Sequence, residues 1–360
     1  MSRPARARID LDALRHNLAF VRRLVRGARV VAVIKANGYG HGAVALARAL
    51  GDSADLLGVA CLEEAMDLRE SGIAAPILLM EGAFAPEEVA AADRLGLRQV
   101  VHCREQLDWV LSARTQRPLD CWLKLDTGMH RVGFAPREFA AAYGALKGSP
   151  QVGSLTLMTH FARADEPESP YTARQLAVFA ETAAGLDAPR SLANSAAILA
   201  WPDAIAEWVR PGIMLYGASP LGDDHASARA LRPVMHLESA LIAVREVAAG
   251  EPIGYGGRFV CTRPTRVGVV AMGYADGYPR HAPDGTPVAV GGQLVRLIGR
   301  VSMDMLMVDL TDLPQARLGD PVELWGARVG VNAVAEASGT IGYELLTGLN
   351  PRVPRIYEGA

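Results

Sequence analysis

The chain has 360 residues, half of them hydrophobic, and a formal net charge of −2. That is enough apolar material for two domains with separate cores, and the near-neutral charge gives no electrostatic case for nucleic acid or an anionic membrane as partner. Four cysteines, Cys61, Cys103, Cys121 and Cys261, lie scattered without a CxxC pair. That spacing argues against a disulfide or zinc framework and predicts a reduced, cytoplasmic chain.

The opening MSRPARARIDLD is basic with no apolar core behind it, so no signal peptide is predicted, and no apolar run has the length of a membrane span. A helix is predicted over 10–26, where Leu14, Leu18, Val21 and Val25 recur at helical spacing and Asp10 or Asp12 serves as N-cap. The stretch VVAVIKANGYGHG comes next. Its apolar run has the length of a buried strand, and it delivers Lys35 to the end of that strand, beside glycines that permit a sharp turn. Strands are predicted at 29–35, 56–60, 77–80, 98–102, 119–125, 152–159, 190–194 and 206–210. Helical patterns fall between them at 41–50, 61–71, 86–95, 104–114, 136–147 and 170–184. This alternation predicts a (β/α)8 barrel; a doubly wound sheet is the rival, but no GxGxxG fingerprint follows the first strand. After residue 228 the segments TRVGVVAMGY, TPVAVGG, QLVRLIGR, MLMVDL and DPVELWG are β-rich and cut by Gly and Pro. The domains are therefore drawn at 1–228, a barrel, and 229–360, mostly β, with LRPVMHLESALIAVREV as its first strand and short helical turns within 331–347.

Barrels of this kind place their chemistry at the C-terminal ends of the strands. There the sequence puts Lys35, Lys124 and Arg131 (WLKLDTGMHRVGF), His160 (LTLMTHF), Asn194 and Ser195 (SLANSAA), and Arg210 (VRPGIMLYG). Each has a plain alternative. Lys35 can cover apolar surface with its stem, His160 can cap a loop, Arg131 and Arg210 can form surface ion pairs, and Ser195 can cap a helix. Together on one rim they argue for a shared pocket. A lysine in a partly dry site becomes a nucleophile towards carbonyls, and glycine turns and helix starts bind phosphate. An aldehyde carrying a phosphate is pyridoxal 5'-phosphate, which stabilises a carbanion at an amino acid's α-carbon.

At this point the chain resembles the alanine racemases over nearly its whole length. AVIKANGYGHG, KLDTGMHRVGF, NSAA, RPGIMLYG, PIGYGG, MGYADGYPR, GRVSMDMLMVDL and GYELLTGLNPRVPRIY follow in that family's order. The resemblance implies a barrel followed by a β domain, and a homodimer in which the β domain completes the partner's active site. It implies Lys35 as the lysine bonded to pyridoxal phosphate and Tyr255 as the second catalytic base. Tyr39, Ser195, Gly212, Ile213 and Tyr343 then surround the phosphate, His160 lies beside the pyridine ring, and Arg210 faces its nitrogen. Arg131 and the backbone amide of Met303 meet the substrate carboxylate, Tyr274 and Asp304 stand at the entrance, and Lys124 is a site of carbamylation able to hold Arg131. No metal is implied. The implied reaction interconverts L- and D-alanine, for peptidoglycan or for L-alanine catabolism.

The chemistry suits these residue types. Racemisation removes a proton from one face of the α-carbon and returns one to the other, which two bases do more simply than one. A tyrosine ready to act near neutral pH needs its pKa lowered by roughly two to three units, and Arg131 is the expected source. A guanidinium cannot accept a proton, so Arg210 would leave the pyridine nitrogen unprotonated and limit misdirected protonation that leads to transamination. The alternatives are a racemase of the same fold acting on serine, lysine or a broad range, a non-catalytic cofactor carrier, and a decarboxylase.

Overall fold

The structure, a computed structural model, describes residues 3–359. It forms two compact units. One comprises Asn17–Gly38 and Ala43–Leu215; the other comprises the chain up to His16, Tyr39–Gly42, and everything from Tyr216 onward.

The first strand, β1 (Arg6–Asp10), belongs to the second of these units. The helix Leu11–Val25 follows at once, and Asp10 Oδ1 accepts the Ala13 N–H at 2.8 Å, so Asp10 is the cap.

The barrel is built from β2 (Arg29–Val33), β3 (Leu56–Val59), β4 (Ile77–Leu79), β5 (Leu97–Val101), β6 (Leu119–Lys124), β7 (Val152–Met158), β8 (Arg190–Asn194) and β9 (Trp208–Arg210). These eight parallel strands close on themselves through β2 and β9. The predicted barrel is therefore present. Its strands read as near-continuous apolar runs because helices cover the outside and side chains fill the inside. Val31, Leu56, Leu78, Val100, Trp122, Met158 and Trp208 form one interior cluster. The Trp122 and Trp208 rings meet at 5.4 Å, and the Arg29 guanidinium lies 4.0 Å over the Trp208 ring. Truncating a leucine of this layer to alanine would cost about 2–5 kcal/mol.

Side chains alternate along a strand, so the inward positions two residues beyond that layer are Val33, Gly58, Met80, His102, Lys124, His160 and Arg210. The period-two pattern thus builds an apolar layer in the barrel and, beyond it, a mixed layer that carries Lys124, His160 and Arg210 at the C-terminal ends of three strands.

The second unit contains β10 (Met235–Val247), β11 (Pro252–Ile253), β12 (Phe259–Val260), β13 (Thr265–Val270), β14 (Pro287–Val290), β15 (Gln293–Ile298), β16 (Leu306–Asp309), β17 (Pro321–Trp325) and β18 (Arg355–Glu358). Eight strands form one sheet in the order β13-β16-β15-β14-β17-β10-β1-β18, and β10 also pairs with β13. β10 lies within the predicted leading segment 231–247 and omits its first four residues, and short helices at Val331–Ala337 and Gly342–Thr347 match the expected turns. β1 pairs antiparallel with β10 and parallel with β18.

Candidate active site

Lys35 emerges from β2 into a left-handed turn. Ala36, Asn37 and Gly38 have φ/ψ of 52/51°, 52/47° and 62/46°. Side chains other than glycine disfavour this region by about 1–2 kcal/mol each. Three hydrogen bonds hold the turn: Gly38 N–H to Ile34 O at 2.8 Å, Ala36 N–H to Glu64 Oε1 at 2.6 Å, and Ala43 N–H to Asn37 Oδ1 at 2.9 Å.

Arg210 is only 2 % exposed. It forms no surface ion pair. Its NH1 donates to Ser191 O (2.8 Å) and Ser191 Oγ (2.6 Å), and its NH2 to Thr159 O (2.6 Å) and Leu192 O (3.0 Å). Burial pulls the guanidinium down to about 10, still charged at neutral pH. Nε is left as a buried donor with no acceptor. NH2 also lies 3.4 Å from His160 Nδ1, which must accept. Burial, then the charges of Arg210, Lys124, Arg131 and Lys35, hold His160 well below its ordinary pKa, so the imidazole is neutral.

Lys124 is 7 % exposed. Burial and then the charges of Arg210, Arg131 and Lys35 lower it from 10.5 to about 8, with Asp126 the opposing influence. Arg131 itself is exposed and, among the described residues, pairs with no carboxylate. The structure therefore brings Lys35, Lys124, Arg131, His160 and Arg210 within reach of one another's fields, as the rim positions led us to expect.

Beside them, Asn194 rather than Ser195 caps the helix Ser195–Ala200, with Oδ1 accepting the Ala197 N–H at 3.0 Å. That leaves the Ser195 hydroxyl to accept from Gly212 N–H at 2.8 Å and Met214 N–H at 3.4 Å. Ser195, Gly212 and the start of the 3-10 turn Ile213–Tyr216 are thus tied into one polar corner.

The remaining expected residues lie in the second unit. Tyr39 is buried, stacked on Tyr216 at 4.5 Å and tilted against Tyr343 at 6.0 Å. Burial pushes its phenol up to about 12, so it stays protonated and can donate. Tyr255 is 70 % exposed, in a turn of three residues, Tyr255–Gly257. It lines a groove of about 740 Å³ with Ile242, Ile253, Ser302, Met305 and Met307. Tyr274 has the Arg280 guanidinium 5.9 Å over its ring. Tyr274 N–H donates to Ser302 O, and Ala275 N–H to Met303 O, both at 3.0 Å. This approach needs Gly273, where a Cβ would sit 2.3 Å from Met303 O.

The sequence reading missed three residues. His102 points inward beside Lys124, because Val101 and Leu123 are register partners. Glu64 braces the turn after Lys35. Asp276 is a fully buried carboxylate that accepts from Arg3 NH2 (2.7 Å), Arg352 Nε (2.6 Å) and Gly273 N–H (2.8 Å), while Arg352 also reaches Asp304 (2.6 Å). His102 had a usable signal, since it ends a predicted strand. Glu64 and Asp276 act through backbone and long-range contacts that no local pattern announces.

The family described as alanine racemase, N-terminal domain, matches residues 9–220, and alanine racemase, C-terminal domain, matches residues 234–357. The chain belongs to the alanine racemase family. It is 56 % identical to a catabolic alanine racemase of Pseudomonas aeruginosa, over 99 % of this chain and all of that one. The crystal structure of the biosynthetic alanine racemase from Pseudomonas aeruginosa superposes with a TM-score of 0.96 at 52 % identity, covering 99 % of both chains. An alanine racemase from Bartonella henselae with covalently bound pyridoxal phosphate superposes at 0.89 and 30 % identity, over 99 % of each chain.

Alanine racemases depend on pyridoxal phosphate. The donor set at the rim of the barrel fits such a group. Lys35 stands at the rim as an amine for the aldehyde, and Arg210 Nε is a buried donor in want of an acceptor such as a pyridine nitrogen.

Proposed function

We propose that this chain interconverts L-alanine and D-alanine in the cytoplasm, using pyridoxal phosphate held at the barrel rim, and that it works as a homodimer. The observation that carries this reading is Arg210, a buried guanidinium whose other donors are engaged and whose Nε alone is open.

Pyridoxal phosphate, when bound, draws electrons away from the substrate's α-carbon so that its proton can leave. Lys35 would hold the cofactor covalently and then carry a proton at one face of that carbon. Tyr39, Ser195, Gly212, Ile213 and Tyr343 would surround the phosphate; the protonated Tyr39 phenol is a donor at neutral pH. Neutral His160 would flank the ring while Arg210 donates from Nε to its nitrogen. Because Arg210 stays charged and has no proton-accepting capacity, it would keep that nitrogen unprotonated.

Tyr255, presented by a second copy of the chain, would carry the proton at the opposite face. Its 70 % exposure, in one groove with Met305 at 43 % and Ile242 at 40 %, supports such an arrangement, because exposed apolar groups side by side suit an interface. Arg131 and the Met303 amide would hold the substrate carboxylate, with Tyr274 and Asp304 framing the entrance. Lys124, lowered to about 8, offers a neutral amine to carbon dioxide. The ammonium gives up one proton, and the neutral amine then forms a C–N bond to carbon dioxide, whose C=O electron pair moves to oxygen, and releases a second proton; a cation among cations thus becomes an anion able to hold Arg131.

Chiral chromatography tests the reading directly. Purified protein incubated with L-alanine, L-serine and L-lysine should yield D-alanine fastest, and only with pyridoxal phosphate present. Predominance of D-serine or D-lysine would move the substrate; no D-product from a protein that binds the cofactor would overturn the reaction.

A further inference from the structure

The turn after Lys35 has positive φ at three non-glycine residues, Ala36, Asn37 and Tyr39, so something outside it must hold it. Glu64 is placed to do so. One carboxylate oxygen accepts the Ala36 N–H at 2.6 Å, and the other accepts the Ala60 N–H at 2.7 Å. Ala36 follows Lys35 beyond β2, and Ala60 follows β3, so one side chain clamps two neighbouring strand ends.

The same device recurs with different chemistry. His102 N–H donates to Gln106 Oε1 at 2.9 Å, and Gln106 Nε2 donates to Glu81 O and Ala83 O, both at 2.9 Å. Phe84 N–H donates to Glu88 Oε2 at 2.9 Å. Gln106 faces a donor on one side and acceptors on the other, so an amide fits. Glu64 faces donors on both sides, so only a group that accepts at both oxygens fits. The residue choice thus follows what lies across from it.

We infer that Glu64 is a positioning residue for Lys35, holding the left-handed turn so that the lysine amine meets its partner in register. The inference rests on Lys35 being the cofactor-bonding lysine. Glu64→Gln keeps one accepting oxygen but turns an NH2 towards the other N–H. It should preserve the cap at Ala60, and so the melting temperature to within about 3 °C. It should release Ala36.

The test titrates apoprotein with pyridoxal phosphate, following visible absorption, in the parent, Glu64→Gln, Glu64→Asp, Glu88→Gln and Lys35→Ala. The cofactor Kd should rise about tenfold in both Glu64 variants, a loss of about 1.4 kcal/mol. Hydrogen exchange at the Ala36 amide should accelerate by a similar factor. kcat should fall while KM stays within about twofold, as for an interaction realised in the chemical step. Glu88→Gln, the matched change at a carboxylate that accepts only from Phe84 in a loop bearing no lysine, should bind cofactor as the parent does. Parent-like Kd and Ala36 exchange in both Glu64 variants would overturn the inference alone. Parent-like absorption in Lys35→Ala would overturn the assignment of Lys35 beneath it.

Discussion

The two units present their polar residues in opposite ways. On the barrel, Arg210 and Lys124 are 2 % and 7 % exposed; burial lowers both pKa values, and the charge of Arg210 lowers that of Lys124 further. In the β-rich unit, Tyr255 and Met303 are 70 % and 53 % exposed. The barrel's groups are preorganised inside one chain, where low polarity strengthens every charge. Tyr255 and Met303 are instead displayed on the surface, as groups intended for another molecule would be. The contrast is one of burial, so substitutions should act differently on stability in the two places.

The most severe break should come on the barrel. Lys35→Ala should lower racemisation by about 10³-fold or more, since it removes a covalent partner and a proton carrier together. Loss of the visible cofactor band accompanies that result; a retained band would exclude Lys35 from the role. Tyr255→Phe separates the two regions more sharply. It should slow α-deuterium exchange of one enantiomer about 10²-fold and the other far less. Being exposed, it should leave unfolding free energy within about 0.5 kcal/mol. Equal slowing of both enantiomers would argue against one base per face.

Arg210→Met should do the reverse, acting on stability as well as chemistry. Ser191 O, Thr159 O and Leu192 O would lose their donor in a buried site. Barrel stability should drop by about 3–5 kcal/mol, measured by urea unfolding with pyridoxal phosphate absent. A barrel as stable as the parent's would show that the cage is not what holds this rim.

The smallest effect is the one with the clearest pH sign. Below pH 8 the folded Lys124 bears a buried charge at a penalty of about 3 kcal/mol. The unfolded chain keeps its proton up to about 10.5, so stability should rise as pH climbs from about 8 towards 10.5. At pH 7 without carbon dioxide, Lys124→Met should be more stable than the parent by about 2 kcal/mol. Bicarbonate should erase that advantage by converting the parent's lysine into an anion; an advantage indifferent to bicarbonate would remove carbamylation from the picture.

Much of the barrel was legible because its signal is local. The strand predicted at 190–194 is observed at Arg190–Asn194, and the helix predicted at 136–147 at Pro136–Lys147. Apolar runs, helical spacing and glycines act over a few residues, so a linear reading captures them. The family motifs carried the assignment of individual site residues; the structure adds the clustering of Lys35, Lys124, Arg131, His160 and Arg210. β1 was not legible. RARID is short, with three of its five residues charged, and its partners Glu238 and Arg355 lie far along the chain. Glu64 and Asp276 escaped for the same reason, since each earns its place by what it faces across the fold.

The position of β1 has a consequence for how the molecule is made. Its ladder neighbours are β10 and β18, the latter at Arg355–Glu358. A ribosome releases Arg6–Asp10 before any barrel strand, β10 at Met235–Val247 only after all of them, and Arg355–Glu358 later still, so β1 waits unpaired while the whole barrel is made. The barrel strands, all lying between, can find their neighbours in order as they emerge. Vectorial synthesis therefore favours a barrel that folds while an edge-competent N-terminal segment remains exposed to chaperones and to other nascent chains. Shortening the chain before Arg355 would strip β1 of one of its two ladders and leave the growing polypeptide with a strand that never completes its pairing.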